Sequence, residues 1–346
     1  MRVLVCSIGS RGDVQPILAL AVELECLGHQ ARLCVAPNFK EWVESFGIEC
    51  LPFGPDLKKL TTVAPVQMTA SAEQRRQLAA HAVRSQFPAL MEAARDCDLV
   101  VAGGTLQFAA RSVSEALKIP YVFTAYCPAV IPSPDHPPPK IGAHHPLTLS
   151  ADENVALWKE DARSWNDLFL GTLNEARAEL GLDPVGSVYG HILTDTPWLA
   201  ADPTLAPAAS TQPMQIVQTG GWLLKERRPL PADVEAFLAS GPPPLYFGFG
   251  SMRVAEGTSR VLVESARTLG MRSIISRGWA NLRSIDDGSD CLLVDDVAHE
   301  KLFPRVLAVV HHGGAGRPQS PQHAVYRRPL CRTSTISFTG PTECIS

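Results

Sequence analysis

Eleven residues, Val306 to Gly316, read VLAVVHHGGAG. A short apolar strand, Leu307 to Val310, runs into His311 and His312 and then into Gly313, Gly314, Ala315 and Gly316. An apolar run that hands over to glycine-rich backbone is how a strand passes into the start of a helix. Glycine lets a ligand approach bare N–H groups. A helix start adds unpaired donors and partial positive charge. The chemistry that suits such a turn is the binding of a phosphate or diphosphate. An ordinary tight turn is the competing interpretation, and two histidines beside GGAG make it the weaker one. Adjacent histidines diverge in a strand, so a shared metal is not expected.

A second chemical stretch is GSRGD, which places Ser10, Arg11, Gly12 and Asp13 after the apolar run RVLVCSI. It is not a dinucleotide fingerprint. The third glycine is missing, and the second strand ends Val35-Ala36-Pro37 without an acidic residue. It does put a carboxylate just outside the carboxyl end of a strand, where open α/β sheets place ligands. Asp13 can serve there as a general base, or it can cap a helix beginning near Pro16. Both readings stand. Two more glycine turns follow strands in the second half, GFGS at 248–251 and SRGW at 276–279. Ser251 can bond a phosphate oxygen, Arg277 can supply a cation, and Trp279 can border a nucleobase. Together with HHGGAG they suggest one ligand-binding edge. Asp286-Asp287 and Asp295-Asp296 lack DxD spacing, so a helix start and histidine are expected to stabilise a leaving diphosphate in place of a metal.

The elements that must position these residues alternate. Residues 2–8 are a continuous apolar run, fit for a parallel strand buried on both faces. A helix follows with Ile17, Leu20, Ala21, Leu24 and Leu27 on one stripe, Pro16 in its first turn and Gly28 as its stop. ARLCVAP, IECLPFG, DLVVAGG and PYVFTAYCP read as strands, with helices between them. A long helical region covers 72–95. The segment from 132 to 150 carries five prolines by residue 139 and reads as a surface loop with a functional role. Helix returns over 154–180, where Trp158, Trp165, Phe169 and Leu173 form a core stripe and not a sugar-stacking platform. Prolines 203, 207 and 213 mark a linker at 202–220. Strand–helix alternation then resumes, so the class is α/β with parallel sheets.

Bulk properties agree with that class. At 346 residues, two domains are expected. The chain is 45% hydrophobic and 19% charged with a net charge of -4, which gives no basis for nucleic acid or anionic membrane as a partner. No apolar run is long enough to span a bilayer, and the N-terminus lacks a secretory signal pattern. Nine scattered cysteines without a CxxC pair read as buried free thiols in a reducing cytosol, so the expected location is cytoplasmic.

Taken together, GSRGDVQP (9–16), TDTPWLAADPTLAP (194–207), QTGGWLL (218–224), YFGFGS (246–251), SRGW (276–279) and HHGGAG (311–316) resemble the GT-B glycosyltransferases. The resemblance is to the bacterial glycopeptide-antibiotic and macrolide type, with sterol glucosyltransferases more distant. It implies two Rossmann-like domains facing across a cleft: an acceptor-binding domain over 1–201 and a nucleotide-sugar domain over 221–316. It implies inverting transfer from a UDP- or dTDP-sugar to a hydroxyl of a small lipophilic or natural-product acceptor. Peripheral contact with lipid acceptors is a further implication. No cofactor or metal is expected. By the same resemblance Asp13 is the base, and Ser10, Arg11 and Gly12 face the donor phosphates. Ser251, His312, Gly314 and the backbone through Gly316 form the diphosphate cradle, while Trp279 and Val297 lie around the base. His311, Gly313, Ala315 and Arg277 complete the donor set.

The resemblance stops after Gly316. Residues 317–346 hold four prolines and no periodicity, and the family's Asp-Gln pair and final strand–helix units are missing, about 50 to 80 residues. The second domain is therefore expected to be incomplete, its last 30 residues a frame-shifted tail, and its activity impaired. Arg332-Thr333-Ser334 back-translates to CGG ACC AGC, which two bases over reads Asp-Gln. The alternatives are a truncated, catalytically inactive acceptor-binding protein and a nucleotide-sugar epimerase. PWLAADP and GSRGD argue against the epimerase.

Overall fold

A computed structural model of the chain describes residues 1–56, 71–139, 148–209, 214–226, 228–251, 254–255, 257–279 and 282–311. The chain divides into two units, one from Met1 to Trp222 and one beginning at Leu223.

The first unit is built on seven strands, β1 (Arg2–Ser7), β2 (Gln30–Val35), β3 (Glu49–Pro52), β4 (Leu99–Gly103), β5 (Tyr121–Ala125), β6 (Trp198–Leu199) and β7 (Val217–Gln218). They lie in the order β3-β2-β1-β4-β5-β6-β7, and every pair is parallel. The apolar run of β1 is explained by its place: it sits between β2 and β4, with Val3 to Ser7 all buried. The residues expected as a linker contribute β7, so the unit boundary falls at Trp222 and the stretch before it is part of the sheet.

Helices fill the crossovers: α1 (Arg11–Cys26), α2 (Lys40–Glu44), α3 (Ala72–Arg84), α4 (Gln86–Ala94) and α5 (Ala110–Leu117). After β5 come α6 (Ala151–Trp165), α7 (Gly171–Glu179) and α8 (Val188–Leu193), with a wide π turn, Asn166–Leu170, joining α6 to α7. The aromatic stripe is core, as its spacing suggests. Trp158 and Leu173 are buried, Trp165 stacks on Tyr189 at 4.8 Å, and Phe169 lies 4.6 Å from Phe108. The proline-rich loop is tied to α6, because Asn154 Nδ2 donates to the Pro134 carbonyl and Trp158 Nε1 to the His136 carbonyl, both at 2.8 Å.

Helix α1 differs from expectation. It starts at Arg11 with Ser10 as its N-cap, and Pro16 sits inside it. A proline there has no N–H for the Gly12 carbonyl; the capping of the first turn sets the start instead. The buried face is Val14, Ile17, Leu18 and Ala21, while Leu27 is exposed. Gly28, at φ +82°, ends the helix as foreseen.

The second unit holds α9 (Ala232–Ala239), β8 (Leu245–Gly248), α10 (Thr258–Thr268), β9 (Ser273–Ser276), β10 (Cys291–Val294), α11 (His299–Leu302) and β11 (Ala308–His311). Its strands run parallel in the order β10-β9-β8-β11. Alternation along each strand feeds two cores. Tyr246, Ile274 and Val309 pack with Val234, Leu302 and Phe303 on one face. Phe247 and Ile275 pack with Val263 and Ala266 on the other. The tail, 317–346, and the expectation of a frame shift in it lie outside the described residues, as do residues 312–316 of the glycine turn. Among the described residues no helix is long and apolar enough to cross a membrane.

Candidate functional site

In each sheet the strand order turns back between the first strand of the unit and its last crossover partner, at β1/β4 and at β8/β11. Open parallel sheets bind ligands beyond the carboxyl ends of the strands at such a reversal. Ser10 to Asp13 follow β1, Ser251 follows β8 and His311 ends β11; Arg277 and Trp279 follow β9 and Val297 follows β10, one and two strands away.

At the first reversal, Ser7 ends β1 opposite Gly103 of β4. Gly9 follows, and the Asp13 carboxylate folds back over its bare Cα; a β-carbon on Gly9 would fall 2.1 Å from Oδ2. Ser10 and Asp13 close a capping box. The Ser10 N–H donates to Asp13 Oδ2 at 2.7 Å and the Ser10 hydroxyl to the same oxygen at 3.2 Å. Asp13 is therefore the third residue of the helix, and the cap itself is Ser10. The competing roles of base and helix-start residue fall on one carboxylate and do not exclude each other. Burial pushes the Asp13 carboxyl above its ordinary range, and the two Ser10 donors pull it part of the way back. Arg11 is turned to the side. Its guanidinium lies 4.4 Å from the Trp42 ring centre, and its Nε donates to Gln15 Oε1 at 3.2 Å. Gly12 is exposed.

Beside the second reversal, the glycine turns that leave β8 and β9 close on each other. Gly250 and Gly278 both have positive φ, +61° and +55°. The Trp279 N–H donates to the Gly250 carbonyl at 2.8 Å. A β-carbon on Gly278 would sit 2.2 Å from that same carbonyl oxygen. The GFGS and SRGW turns thus form one backbone unit, which carries Ser251 and Trp279. His311 ends β11 opposite Gly248 and is buried. Arg277 is paired with Asp295, Nε to Oδ1 at 3.1 Å. The Val297 side chain belongs to the apolar core. His312, Gly313, Gly314, Ala315 and Gly316 lie outside the described residues. Asp286, from the first acidic pair, and the separate Asp290 grip Arg267 from two sides at 2.7 Å.

Sequence reasoning missed Tyr126, a buried residue just after β5 whose hydroxyl feels the Asp13 charge. Its position at the exit of β5 was the available signal. It also missed Trp42 as the partner of Arg11. All seven described cysteines are free; Cys26 is exposed, while Cys6, Cys34, Cys50 and Cys97 are buried as expected. Burial raises their thiols above the ordinary range, which makes them inert.

Residues 3–131 match the glycosyltransferase family 28 N-terminal domain. A vancomycin aglycone glucosyltransferase of Amycolatopsis orientalis is 42% identical over 320 residues, covering 91% of this chain and 77% of that protein. The sterol 3-beta-glucosyltransferase UGT80A2 of Arabidopsis thaliana is 30% identical over 370 residues, 98% of this chain and 55% of that one. Among solved structures, the glycosyltransferase VinC in complex with dTDP superposes with a TM-score of 0.59 at 17% identity, over 92% of this chain and 77% of that one.

Proposed function

The chain belongs to the glycosyltransferases that include the glycopeptide-antibiotic enzymes, and from that premise we propose that it moves a sugar from a dTDP- or UDP-sugar to a hydroxyl of a natural-product acceptor, with inversion at the anomeric carbon. The single observation that carries the reading is Asp13. It is a carboxylate at the sheet reversal, seated on Gly9 and oriented by Ser10. The name of the vancomycin aglycone relative supports a natural-product acceptor. The dTDP bound by VinC supports a nucleoside diphosphate as the leaving group.

In this reading Asp13 accepts the proton of the acceptor hydroxyl. The freed oxygen lone pair forms the new bond to the anomeric carbon. The bond from that carbon to the diphosphate oxygen breaks, and its electrons leave with the nucleotide. Partial burial favours this use, since a raised carboxyl is a better proton acceptor near neutral pH. The second unit binds the nucleotide. Ser251 and the 312–316 turn are assigned to the diphosphate, and Trp279 with the main chain at Val297 to the base. A helix start and histidine stabilise the diphosphate charge, so the reading assigns no step to a metal or cofactor. Ser10, Arg11 and Gly12 are assigned to the donor phosphates in this reading, and Ser10 also holds Asp13. Buried free thiols suit a cytoplasmic location.

The test is incubation with dTDP-glucose or UDP-glucose and a panel of glycopeptide aglycones and sterols, read by the mass of one added hexose. Calorimetry with dTDP and UDP is run beside it. Added hexose on an aglycone is the expected result. Acceptor binding with no nucleotide binding and no transfer would instead mark a binding protein and overturn the reading.

A further inference from the structure

Two acidic residues, Asp295 and Asp296, stand side by side where β10 hands over to α11, directly ahead of Val297. Adjacent carboxylates repel each other, and they would repel an anionic nucleotide at the same sheet edge. Each has an arginine partner. Asp295 is held from the side of β9. The Arg277 N–H donates to the Val294 carbonyl at 2.9 Å, and the Ser276 hydroxyl donates to the Asp295 carbonyl at 3.4 Å. Arg277 Nε lies 3.1 Å from Asp295 Oδ1. Asp296 is held from a different part of the chain: Arg228 Nη2 donates to its Oδ2 at 2.9 Å.

Arg228 lies between Leu223, where the second unit begins, and α9. Two further contacts fasten this entry stretch. The largely buried Glu226 carboxylate pairs with the Arg228 guanidinium. Leu230 is buried in the same apolar cluster as Val294 and Val297. The stretch thus reaches the 294–297 turn twice, by a charge on Asp296 and by packing beside Val297. A guanidinium shared by two carboxylates is the kind of network in which a half-exposed ion pair contributes measurably.

We propose that Arg228 is a positioning residue for the nucleobase site: through Asp296 it sets the 295–297 turn, and nucleotide binding in return tightens the stretch that leads into the second unit. This rests on the assignment of the Val297 main chain to the base. Arg228 itself does not touch the nucleotide. A coupling of this kind is reciprocal, so what the entry stretch does for the nucleotide, the nucleotide does for the entry stretch.

Calorimetry of the full chain with dTDP and with UDP is the test. Arg228→Met is expected to raise the dissociation constant by about three- to fivefold, the scale open to a half-exposed pair, with a thermal midpoint near wild type. Asp296→Asn should cost the same. The two changes together should cost no more than either alone, because both break one tie. Losses that multiply in the double variant would mean that Arg228 meets the nucleotide directly, and would overturn the proposal. Unchanged affinity in Arg228→Met overturns it too, and if that variant does not fold, unchanged affinity in Asp296→Asn does so. Hydrogen exchange gives the second readout: either nucleotide should slow exchange at 223–226 in the wild type and not in Arg228→Met. No slowing in the wild type overturns the coupling. A wild type that binds neither dTDP nor UDP overturns the donor-site reading itself, which no comparison among variants can do.

Discussion

The Asp13 carboxylate rests on Gly9 so closely that a β-carbon there would lie 2.1 Å from Oδ2, 2.3 Å from Cγ and 2.5 Å from Cβ. A long side chain can bend its far end away from such an intrusion. Asp13 is short, and its carboxylate also accepts from Ser10. Gly9→Ala is therefore expected to drive Asp13 out of the capping box. Stability should fall by about 1 to 3 kcal/mol in denaturant, and transfer should fall even at temperatures where the variant stays folded. A midpoint and a rate both equal to wild type would contradict this contact.

Asp13→Asn separates the two duties of that side chain. The amide oxygen can still accept from Ser10, so the helix start is expected to survive. The amide cannot take a proton, so transfer should drop by roughly 10²- to 10⁴-fold. Nucleotide affinity, measured by calorimetry, should be unchanged. Equal losses of folding and activity would mean that Asp13 serves the helix alone.

Gly278 is needed twice over, for its φ of +55° and for the Gly250 carbonyl, which would lie 2.2 Å from a β-carbon. Gly278→Ala should pry the GFGS and SRGW turns apart and raise the dissociation constant for dTDP or UDP by tenfold or more, about 1.4 kcal/mol. Gly270 offers a control. Its φ is +65°, but no atom lies within 4 Å of its would-be β-carbon. Gly270→Ala should cost only the strain of that φ, roughly 1 to 2 kcal/mol of stability, and leave nucleotide affinity intact.

His191 predicts the response to acid. It is buried, its Nε2 is 2.9 Å from the Ser112 hydroxyl, and the same hydroxyl accepts from Arg177. Burial, and then the Arg177 charge, push its pKa down to about 4. In the unfolded chain it titrates near its ordinary value of 6.5. Between those values the unfolded state holds more protons than the native one, so stability is full above about 6.5 and is lost as pH falls toward 4. The loss attributable to this residue is up to roughly 3 kcal/mol. Denaturant midpoints measured from pH 7.5 to 4.5 should fall, and His191→Gln should flatten the slope. A variant that keeps the full slope would move the cause elsewhere.

Much of this fold is written in local pattern. The apolar run of β1 demands cover on both faces, and Gly28 stops α1 where a positive φ is needed. The strand order is not local, and no single segment reveals it. Pro16 suggested a later helix start, yet the Ser10 and Asp13 spacing of a capping box decides where α1 begins. Helix α9 has start signals, Pro231 before it and Asp233 and Glu235 in its first turn, but its eight residues carry no clear apolar stripe. Strand β7 has only two residues, too few for any alternation to register. At the rim, the chemical residues could be named from the turns that hold them. Their partners could not: Arg11 meets Trp42 and Gly103 meets Tyr126 across gaps that only the folded chain closes.

The reciprocal hold between Ser10 and Asp13 has a further effect on any proton that Asp13 acquires. A neutral carboxyl attracts the Ser10 N–H less strongly than a carboxylate does, so protonation slackens the first turn of α1. Shedding the proton tightens it again. The hold of Ser10 thus opposes the burial that raises the Asp13 carboxyl, and the start of α1 is tightest when Asp13 is charged.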